Sequence, residues 1–146
     1  MTCADVMTKD PACCVPGDNV GRVAKIMKTE NIGALPVCES RKSRKLMGIV
    51  TDRDLAMNVV AEERDPSSVL VQDVMTKNPF TCQAQDDLQQ ALEVMQSHQV
   101  RRIPVVDQSG QLIGIIAQAD VATRVSEPEK TAQTVGKISR PSVARA

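Results

Sequence analysis

The sequence predicts a mixed α/β (α+β) fold made of two similar copies of one strand-helix-strand-strand-helix unit. The heptapeptide DVMTKDP at residues 5–11 recurs at residues 73–79 with a single substitution. Apolar residues also recur at helical spacing at corresponding positions of both copies, and two short strand-like runs follow each helical stretch. We therefore expect one pseudo-symmetric module rather than two unrelated domains.

Each copy contains one amphipathic helix, because its apolar residues lie three, four and seven positions after the first and so share one face. These residues are Val20, Val23, Ala24 and Met27 in the first copy, and Leu88, Ala91, Leu92 and Met95 in the second. Asp18 and Asp86 stand just before the two helices. Their short carboxylates are expected to cap the helix N termini.

Two predicted strands and a second helix follow each amphipathic helix. The strands are predicted at 35–38, 46–50, 103–106 and 112–116. The second helices are predicted at 52–60 and 118–125, and short opening strands near 12–15 and 80–83. Pro36 and Pro104 interrupt strands, so we expect each at a sheet edge or beside a ligand ring.

These elements divide the chain into a first repeat at 3–60, a linker at 61–70, a second repeat at 71–126 and a tail at 127–146. The composition of the tail predicts an extended or disordered segment. One copy is too short to cover the helix-facing side of its own sheet. We therefore expect the copies to pack face to face as one module, with two equivalent clefts between them.

Composition excludes several classes of protein. Lys plus Arg and Asp plus Glu both number 18, so no overall field attracts nucleic acid or an anionic membrane. The basic run at 39–45 is expected to be a solvated loop. No apolar run has the length of a membrane span, and the first residues lack a signal-peptide pattern, which predicts a cytoplasmic location. Aromatic residues make up 1% of the chain, so the core should be aliphatic.

The cysteines and the single histidine predict no metal site and no catalytic centre. The five cysteines lack CxxC spacing, and His98 alone cannot complete a zinc site. Buried reduced thiols are the simplest interpretation, with a redox role for Cys13 and Cys14 as the alternative. His98 is expected to interact with a helix dipole. The methionines at 7, 27, 75 and 95 recur in register and should fill the cores.

The DVMT run, the apolar-Pro-Val strand and the closing GIVTDRD at 48–54 resemble the CBS domain, present here twice as a CBS pair or Bateman module. The resemblance covers residues 3–126. Segments 31–37, 51–54 and 98–104 are similar to stand-alone bacterial two-repeat proteins of the hypoxic-response type. The resemblance implies a regulatory module that is not an enzyme and that forms a homodimer through its second helices.

In this family, clefts between paired repeats bind AMP, ADP, ATP or related adenosyl compounds, and a Gly-x-x-Thr/Ser-x-x-Asp motif holds the ribose. Thr51 and Asp54 match that motif, and a carboxylate can accept hydrogen bonds from both ribose hydroxyls. The resemblance places the adenine and phosphates near Met75, Thr76, Phe80, Val100, Arg101, Arg102 and Pro104. The neighbouring guanidinium groups of Arg101 and Arg102 would suit a phosphate clamp.

The second cleft departs from the family pattern. Asp120 is retained, but Ala117 replaces the hydroxyl residue. The facing segment carries no cation and comprises Ile32, Gly33, Ala34 and Pro36. Each charge-assisted hydrogen bond that is lost removes roughly 1.5 to 3 kcal/mol of binding free energy. The sequence therefore predicts one good ligand site and one weak or empty site, with no cofactor required.

Alternatives to the ligand site remain open. Asp54 can also be explained as a helix cap alone, and the two arginines as surface partners of carboxylates such as Asp107. The main function hypothesis is a regulatory module that binds an adenosine-type nucleotide and signals by a change of conformation or oligomeric state, with an unidentified regulated protein as a further partner. Its alternative is a nucleotide-free structural or stress-related homodimer that acts through protein partners. An enzyme using Cys14, Cys82 or Asp54 is disfavoured, because no base, metal set or glycine-rich phosphate loop accompanies them.

Overall fold

The structure is a computed structural model that describes residues 1–124. The helices are α1 Val20–Glu30, α2 Asp52–Leu55, α3 Leu88–His98 and α4 Gln118–Arg124. The strands are β1 Thr8–Lys9, β2 Ala34–Cys38, β3 Leu46–Thr51, β4 Thr76–Lys77, β5 Arg102–Val106 and β6 Leu112–Ala117. A π-helical turn, Ala56–Val60, continues α2. The mixed α/β class is confirmed, while the predicted tail lies outside the described residues.

The elements sort into two compact units. The first-repeat unit contains Pro11–Pro79 and Ser109–Leu112. The second-repeat unit contains Met1–Asp10, Phe80–Gln108 and, within the described range, residues 113–124. Each unit thus includes the opening segment of the other repeat.

The first-repeat unit is built on the sheet β2-β3-β4, with antiparallel pairing throughout. Ala34 lies opposite Thr51, and the register shifts between Val37 and Cys38. Its aliphatic core consists of Cys14, Val20, Val23, Met27, Leu35, Val37, Val50, Val59, Val69, Val71 and Val74. Ala24 of the predicted helical face is exposed.

The second-repeat unit is built on the sheet β1-β6-β5. All four residues of the predicted α3 face are buried. The core consists of Cys3, Val6, Cys82, Leu88, Ala91, Leu92, Met95, Ile103, Val105, Ile116 and Val121. Met7 packs against this core as Met75 packs against the other, so the recurring methionines do fill apolar space.

The exchanged segments supply the third strand of each sheet. In the first-repeat unit Thr76 lies opposite Ile49, and in the second-repeat unit Thr8 lies opposite Ile115. A Cβ added at Gly48 would lie 2.6 Å from the carbonyl oxygen of Thr76. The glycine therefore permits the close approach of β4 to β3.

The opening strand of each repeat differs from the sequence prediction. Near 12–15 and 80–83 the structure has only single bridges, Cys14 to Val37 and Cys82 to Val105. The regular strand pairs lie a few residues earlier in the sequence, where β1 pairs with β6 and β4 pairs with β3. Pro11 and Pro79 lack a backbone N–H, so neither can donate a ladder hydrogen bond at the point where each of these segments begins.

Asp18 and Asp86 do not cap the amphipathic helices. Asn19 and Asp87 hold the N-cap positions of α1 and α3, and their side chains accept backbone amides of the first turn. The carboxylates of Asp18 and Asp86 each accept the backbone amide three residues upstream, at 3.1 and 2.8 Å. They close the turn that leads into the helix, a role open to a short carboxylate in a loop.

Candidate functional site

Thr51 and Asp54 form a reciprocal capping box where β3 ends and α2 begins. The Thr51 hydroxyl oxygen accepts the Asp54 amide at 3.1 Å, and Oδ2 of Asp54 accepts the Thr51 amide at 2.9 Å. Both side chains are half-buried. Two backbone donors at the helix start are thereby satisfied. Asp54 thus contributes to the helix cap, although Thr51 rather than Asp54 holds the N-cap position.

Capping does not use all the hydrogen-bonding capacity of this pair. Among the described residues, Oδ1 of Asp54 accepts no hydrogen bond, and the Thr51 hydroxyl still carries a proton to donate. The capping contacts fix the orientation of both side chains. The pair can therefore present one carboxylate oxygen and one hydroxyl to a ligand without rearranging.

The segment predicted for the weak site lies beside this turn in the first-repeat unit. The Asp52 amide donates to the Gly33 carbonyl at 2.9 Å, and Ala34 pairs with Thr51. Ile32 is exposed and Pro36 is buried. Gly33 and Ala34 thus lie at the same end of the β2–β3 hairpin as the Thr51–Asp54 pair, whereas Pro36 lies opposite Ile49 in the middle of the hairpin.

Met75 and Thr76 also belong to the first-repeat unit. Met75 is half-buried and packs against the core, and its Sδ lies 3.0 Å from a Cβ built at Gly48. Thr76 is exposed at the start of β4. Both lie against the middle of β3, where that strand carries its glycine.

Asp120 repeats half of the capping arrangement at the start of α4. Its Oδ2 accepts the Ala117 amide at 3.0 Å, but Ala117 has no hydroxyl to return the bond. The Gln118 amide donates to the Arg101 carbonyl at 2.9 Å. In the second-repeat unit, therefore, the start of α4 lies next to the residue that precedes β5.

Phe80 stacks on His98 in the second-repeat unit. The ring centroids are 3.7 Å apart and the rings are inclined by 16°. Phe80 is 48% exposed, so one side of its ring remains accessible. The sequence predicted only a dipole role for His98, because no periodic pattern links a loop aromatic residue to the end of the next helix. The only hint of this contact in the sequence was that Phe80 is the single phenylalanine of the chain and His98 its single histidine.

The other predicted ligand residues of the second-repeat unit lie around the start of β5. Arg101 is exposed and Arg102 half-buried, whereas Val100 packs against the core. Pro104 is buried, and its carbonyl accepts the Cys82 amide at 3.1 Å. Pro104 and Pro36 both lie in outer strands of their sheets, as predicted for strand prolines.

Two features of the first-repeat unit lie apart from the predicted ligand residues. A groove of about 620 Å³ is lined by Asn19, Gly21, Arg22, Lys25, Asp65, Pro66 and Ser67. None of these residues was expected to bind the ligand. The basic loop at 39–45 is less solvated than predicted, since Arg41 pairs with Asp18 and Arg44 bonds backbone carbonyls.

The chain belongs to the CBS domain family. The CBS domain model matches it twice, over residues 3–61 and 71–127, so the chain contains a CBS pair. Within residues 1–124, no helix is long and apolar enough to cross a membrane.

The relatives include small proteins of similar length. The CBS domain-containing protein YhcV of Bacillus subtilis is 34% identical over 95% of this chain and 96% of its own length. Hypoxic response protein 1 of Mycobacterium tuberculosis is 32% identical over 86% of each chain, which confirms the resemblance to the hypoxic-response type. Inosine-5′-monophosphate dehydrogenase of Korarchaeum cryptofilum is 35% identical over 89% of this chain, but over only 25% of that enzyme.

Solved structures share the fold. Hypoxic Response Protein I with two coordinated zinc ions is 31% identical, with a TM-score of 0.76 over 86% of this chain and 99% of that one. Among the described residues here, no three His, Cys, Asp or Glu side chains converge as metal ligands. CBSX2 in complex with AMP is 24% identical, with a TM-score of 0.69 over 95% of this chain and 98% of that one. The CBS pair of MJ0100, in complex with 5′-methylthioadenosine and S-adenosyl-L-methionine, is 24% identical, with a TM-score of 0.74 over 84% of this chain and 93% of that one.

Proposed function

We propose that this chain is a regulatory module that binds an adenosine compound, with Thr51 and Asp54 holding the ribose. The observation that carries the proposal is the reciprocal capping box, which orients both side chains and leaves Oδ1 of Asp54 without a partner among the described residues. A fixed carboxylate oxygen and a fixed hydroxyl suit a pair of neighbouring ribose hydroxyls.

The family and the fold support an adenosine ligand. The CBS resemblance assigns the ribose to the motif at 48–54, and this chain retains its glycine, hydroxyl and carboxylate. The same fold holds AMP in CBSX2 and two adenosyl compounds in MJ0100. AMP, ADP, ATP and S-adenosylmethionine are therefore the compounds to test first.

The remaining ligand contacts are part of the proposal. Adenine and phosphate contacts are assigned to Met75, Thr76, Phe80, Val100, Arg101, Arg102 and Pro104. A second, weaker site is assigned to Asp120 with Ile32, Gly33, Ala34 and Pro36. Its weakness follows from Ala117, which leaves Asp120 with half a capping box and no neighbouring hydroxyl.

In this proposal the chain signals rather than catalyses. A ligand changes the population of conformations or assemblies only through its different affinity for them. A cytoplasmic homodimer is the proposed working form. Two apolar side chains after α2 support it, because Met57 is 50% exposed and Val60 is 70% exposed. Apolar residues that lie together at the surface are typical of association sites.

A nucleotide-free homodimer that acts through protein partners is the second candidate. It is favoured by the same capping box, which stabilises α2 without any ligand. The His98 ring also already covers one side of Phe80. In this reading Thr51 and Asp54 are structural residues only.

Thermal denaturation with ligand separates the two candidates. The wild type, Asp54→Ala and Asp120→Ala would each be heated with AMP, ADP, ATP, NADH or S-adenosylmethionine at millimolar concentration. A ligand at 100 times its Kd adds about 2.7 kcal/mol, or roughly 5 to 10 °C in Tm. The proposal expects such a shift in the wild type, its loss in Asp54→Ala and its retention in Asp120→Ala. The Asp120 variant is a matched control because it also loses one amide-carboxylate cap. No shift with any compound would favour the nucleotide-free dimer.

A further inference from the structure

Cys13 and Cys38 form a thiol pair in the first-repeat unit. The Cys14 amide donates to the Pro36 carbonyl at 3.0 Å, and the Cys14 carbonyl accepts the Cys38 amide at 2.8 Å. This bridge places Cys13 next to the end of β2, where Cys38 lies. The two thiols are neighbours, and each acts on the pKa of the other.

Arg44 holds a positive charge at the Cys13 sulfur. One terminal nitrogen of its guanidinium donates to Sγ of Cys13 at 3.5 Å. The other donates to the Pro11 carbonyl at 3.0 Å, and Nε donates to the Leu112 carbonyl at 3.3 Å. Because two backbone carbonyls fix the guanidinium, its third contact stays directed at the sulfur.

The groups around the two sulfurs shift the pKa of Cys13 and the pKa of Cys38 in opposite directions. The neighbouring Cys38 thiol, together with the charges of Arg44 and Arg41, lowers the pKa of Cys13 to about 6 against the opposing effect of burial. The interaction with Cys13 and burial raise the pKa of Cys38. At neutral pH, Cys13 is therefore the nucleophile and Cys38 the proton donor beside it.

Exposure also favours Cys13 as the reacting thiol. Cys13 is half-buried, whereas Cys38 and Cys14 are fully buried. Burial and the charge of Asp18 raise the pKa of Cys14 to about 12, and its thiol donates to the Pro36 carbonyl at 3.7 Å. Cys14 is thus an inert core thiol, although the sequence alone paired it with Cys13 as a redox alternative.

We propose that Cys13 and Cys38 are a modification site at which a hydroperoxide forms a reversible intramolecular disulfide. The Cys13 thiolate attacks the O–O bond of the hydroperoxide. An S–O bond forms, the O–O bond breaks, and the departing hydroxide or alkoxide takes a proton from water. The Cys38 sulfur then loses its proton and attacks the sulfenic acid of Cys13, so that an S–S bond forms and water leaves. Two thiols are oxidised by two electrons, and the hydroperoxide is reduced.

Cys3 and Cys82 provide an internal control in the second-repeat unit. Each of these two thiols also acts on the pKa of the other, so this pair resembles the first. It differs in two respects. Cys3 is 0% exposed and Cys82 is 7% exposed. Cys82 lowers the pKa of Cys3, but burial and the carboxylates of Asp86 and Asp87 oppose this effect, whereas at Cys13 the charges of two arginines add to the lowering. We therefore expect hydroperoxide to oxidise this pair much more slowly.

The test is peroxide treatment of the full-length reduced protein, followed by alkylation of the remaining thiols, digestion and mass spectrometry. The proposal expects a peptide linked between Cys13 and Cys38, formed before any change at Cys3 and reversed by dithiothreitol. Cys38→Ser keeps a donor beside Cys13 but cannot form the disulfide, so it should accumulate a sulfenic acid that dimedone traps. Oxidation of Cys3 at an equal rate, or a link from Cys13 to Cys14 or to another chain, would overturn the proposal.

The pH dependence of alkylation tests the cause of the reactivity. With iodoacetamide, the rate at Cys13 should rise with a midpoint near pH 6 in the wild type. Arg44→Gln removes the fixed charge and should move this midpoint upward by roughly a pH unit. Arg53→Gln, a change at an exposed arginine whose charge does not act on Cys13, serves as the control. A wild-type midpoint above pH 8 would show that Cys13 is an ordinary thiol and would overturn the proposal.

Discussion

Thr51 and Asp54 each accept the backbone amide of the other, at 3.1 and 2.9 Å, where β3 passes into α2. The same two side chains are those that the CBS family pattern assigns to the ribose of a ligand. One pair of residues thus links the stability of the helix start to the proposed ligand site. Variants that change one property without the other can separate the two roles.

Asp54→Ala should lower the free energy of unfolding by about 1 kcal/mol, because the Thr51 amide loses its acceptor. Asp54→Asn retains an oxygen at that position and should lose less than half as much. Urea denaturation of the unliganded variants measures both effects. If Asn and Ala cost the same, the charge of Asp54 rather than its capping geometry stabilises α2.

Gly48→Ala should lower the free energy of unfolding by roughly 1 to 3 kcal/mol, because the new Cβ would overlap the strand β4 that pairs with β3. Gly17→Ala is the control, since nothing lies within 4 Å of its added Cβ. Chemical denaturation of both variants gives the comparison. Equal stabilities would contradict the pairing of β4 with β3, and with it the exchange of opening segments.

The stability of the reduced protein should depend on pH through Cys13. Its pKa is lowered to about 6 in the folded state, against an ordinary value of about 8.5 in the unfolded chain. A lowered pKa stabilises the folded state above the unfolded value, and this contribution is lost as the pH falls to 6. The free energy of unfolding should therefore rise from pH 6 to about 8.5, and Cys13→Ser should flatten that rise. An unchanged slope in the variant would show that Cys13 is not the titrating group.

The stack of Phe80 on His98 should be visible by proton NMR, because the chain has one phenylalanine, one histidine and no other aromatic side chain. The ring current of Phe80 should move the His98 ring signals upfield, and Phe80→Leu should return them to their ordinary positions. A bound adenine should shift the Phe80 signals further, and not in Asp54→Ala. Unchanged Phe80 signals in a protein that binds nucleotide would remove Phe80 from the proposed site.

Long periodic segments were predictable from the sequence. The helical spacing of the apolar residues in α3 predicted both that this segment is a helix and which of its faces is buried. These residues are Leu88, Ala91, Leu92 and Met95. The repeat then transferred each assignment to the other copy. The strand predicted at 46–50 and the helix predicted from residue 52 correspond to β3 and α2, which meet at Thr51.

Contacts set by tertiary structure were not predictable. Strands β1 and β4 consist of two exposed residues each, so no alternation of apolar residues predicts them. For the same reason the sequence does not predict that each strand pairs within the unit of the other repeat. The N-cap residues are Asn19 and Asp87 rather than the predicted Asp18 and Asp86. Two neighbouring short polar residues precede each helix, and the sequence does not show which of them caps it. The contact of Arg44 with Cys13 joins a loop that looked solvated to a cysteine far away in the sequence.

Isothermal titration calorimetry can show whether Thr51 and Asp54 hold an adenosine compound. The compound that gives the largest thermal shift would be titrated into the wild type, Asp54→Ala and Asp120→Ala. We expect saturable binding in the wild type and at least tenfold weaker binding in Asp54→Ala, because a charge-assisted hydrogen bond is lost. Binding at the stronger site of Asp120→Ala should be nearly unchanged. Equal affinity of the wild type and Asp54→Ala would show that Thr51 and Asp54 do not bind the ribose and act only as a helix cap.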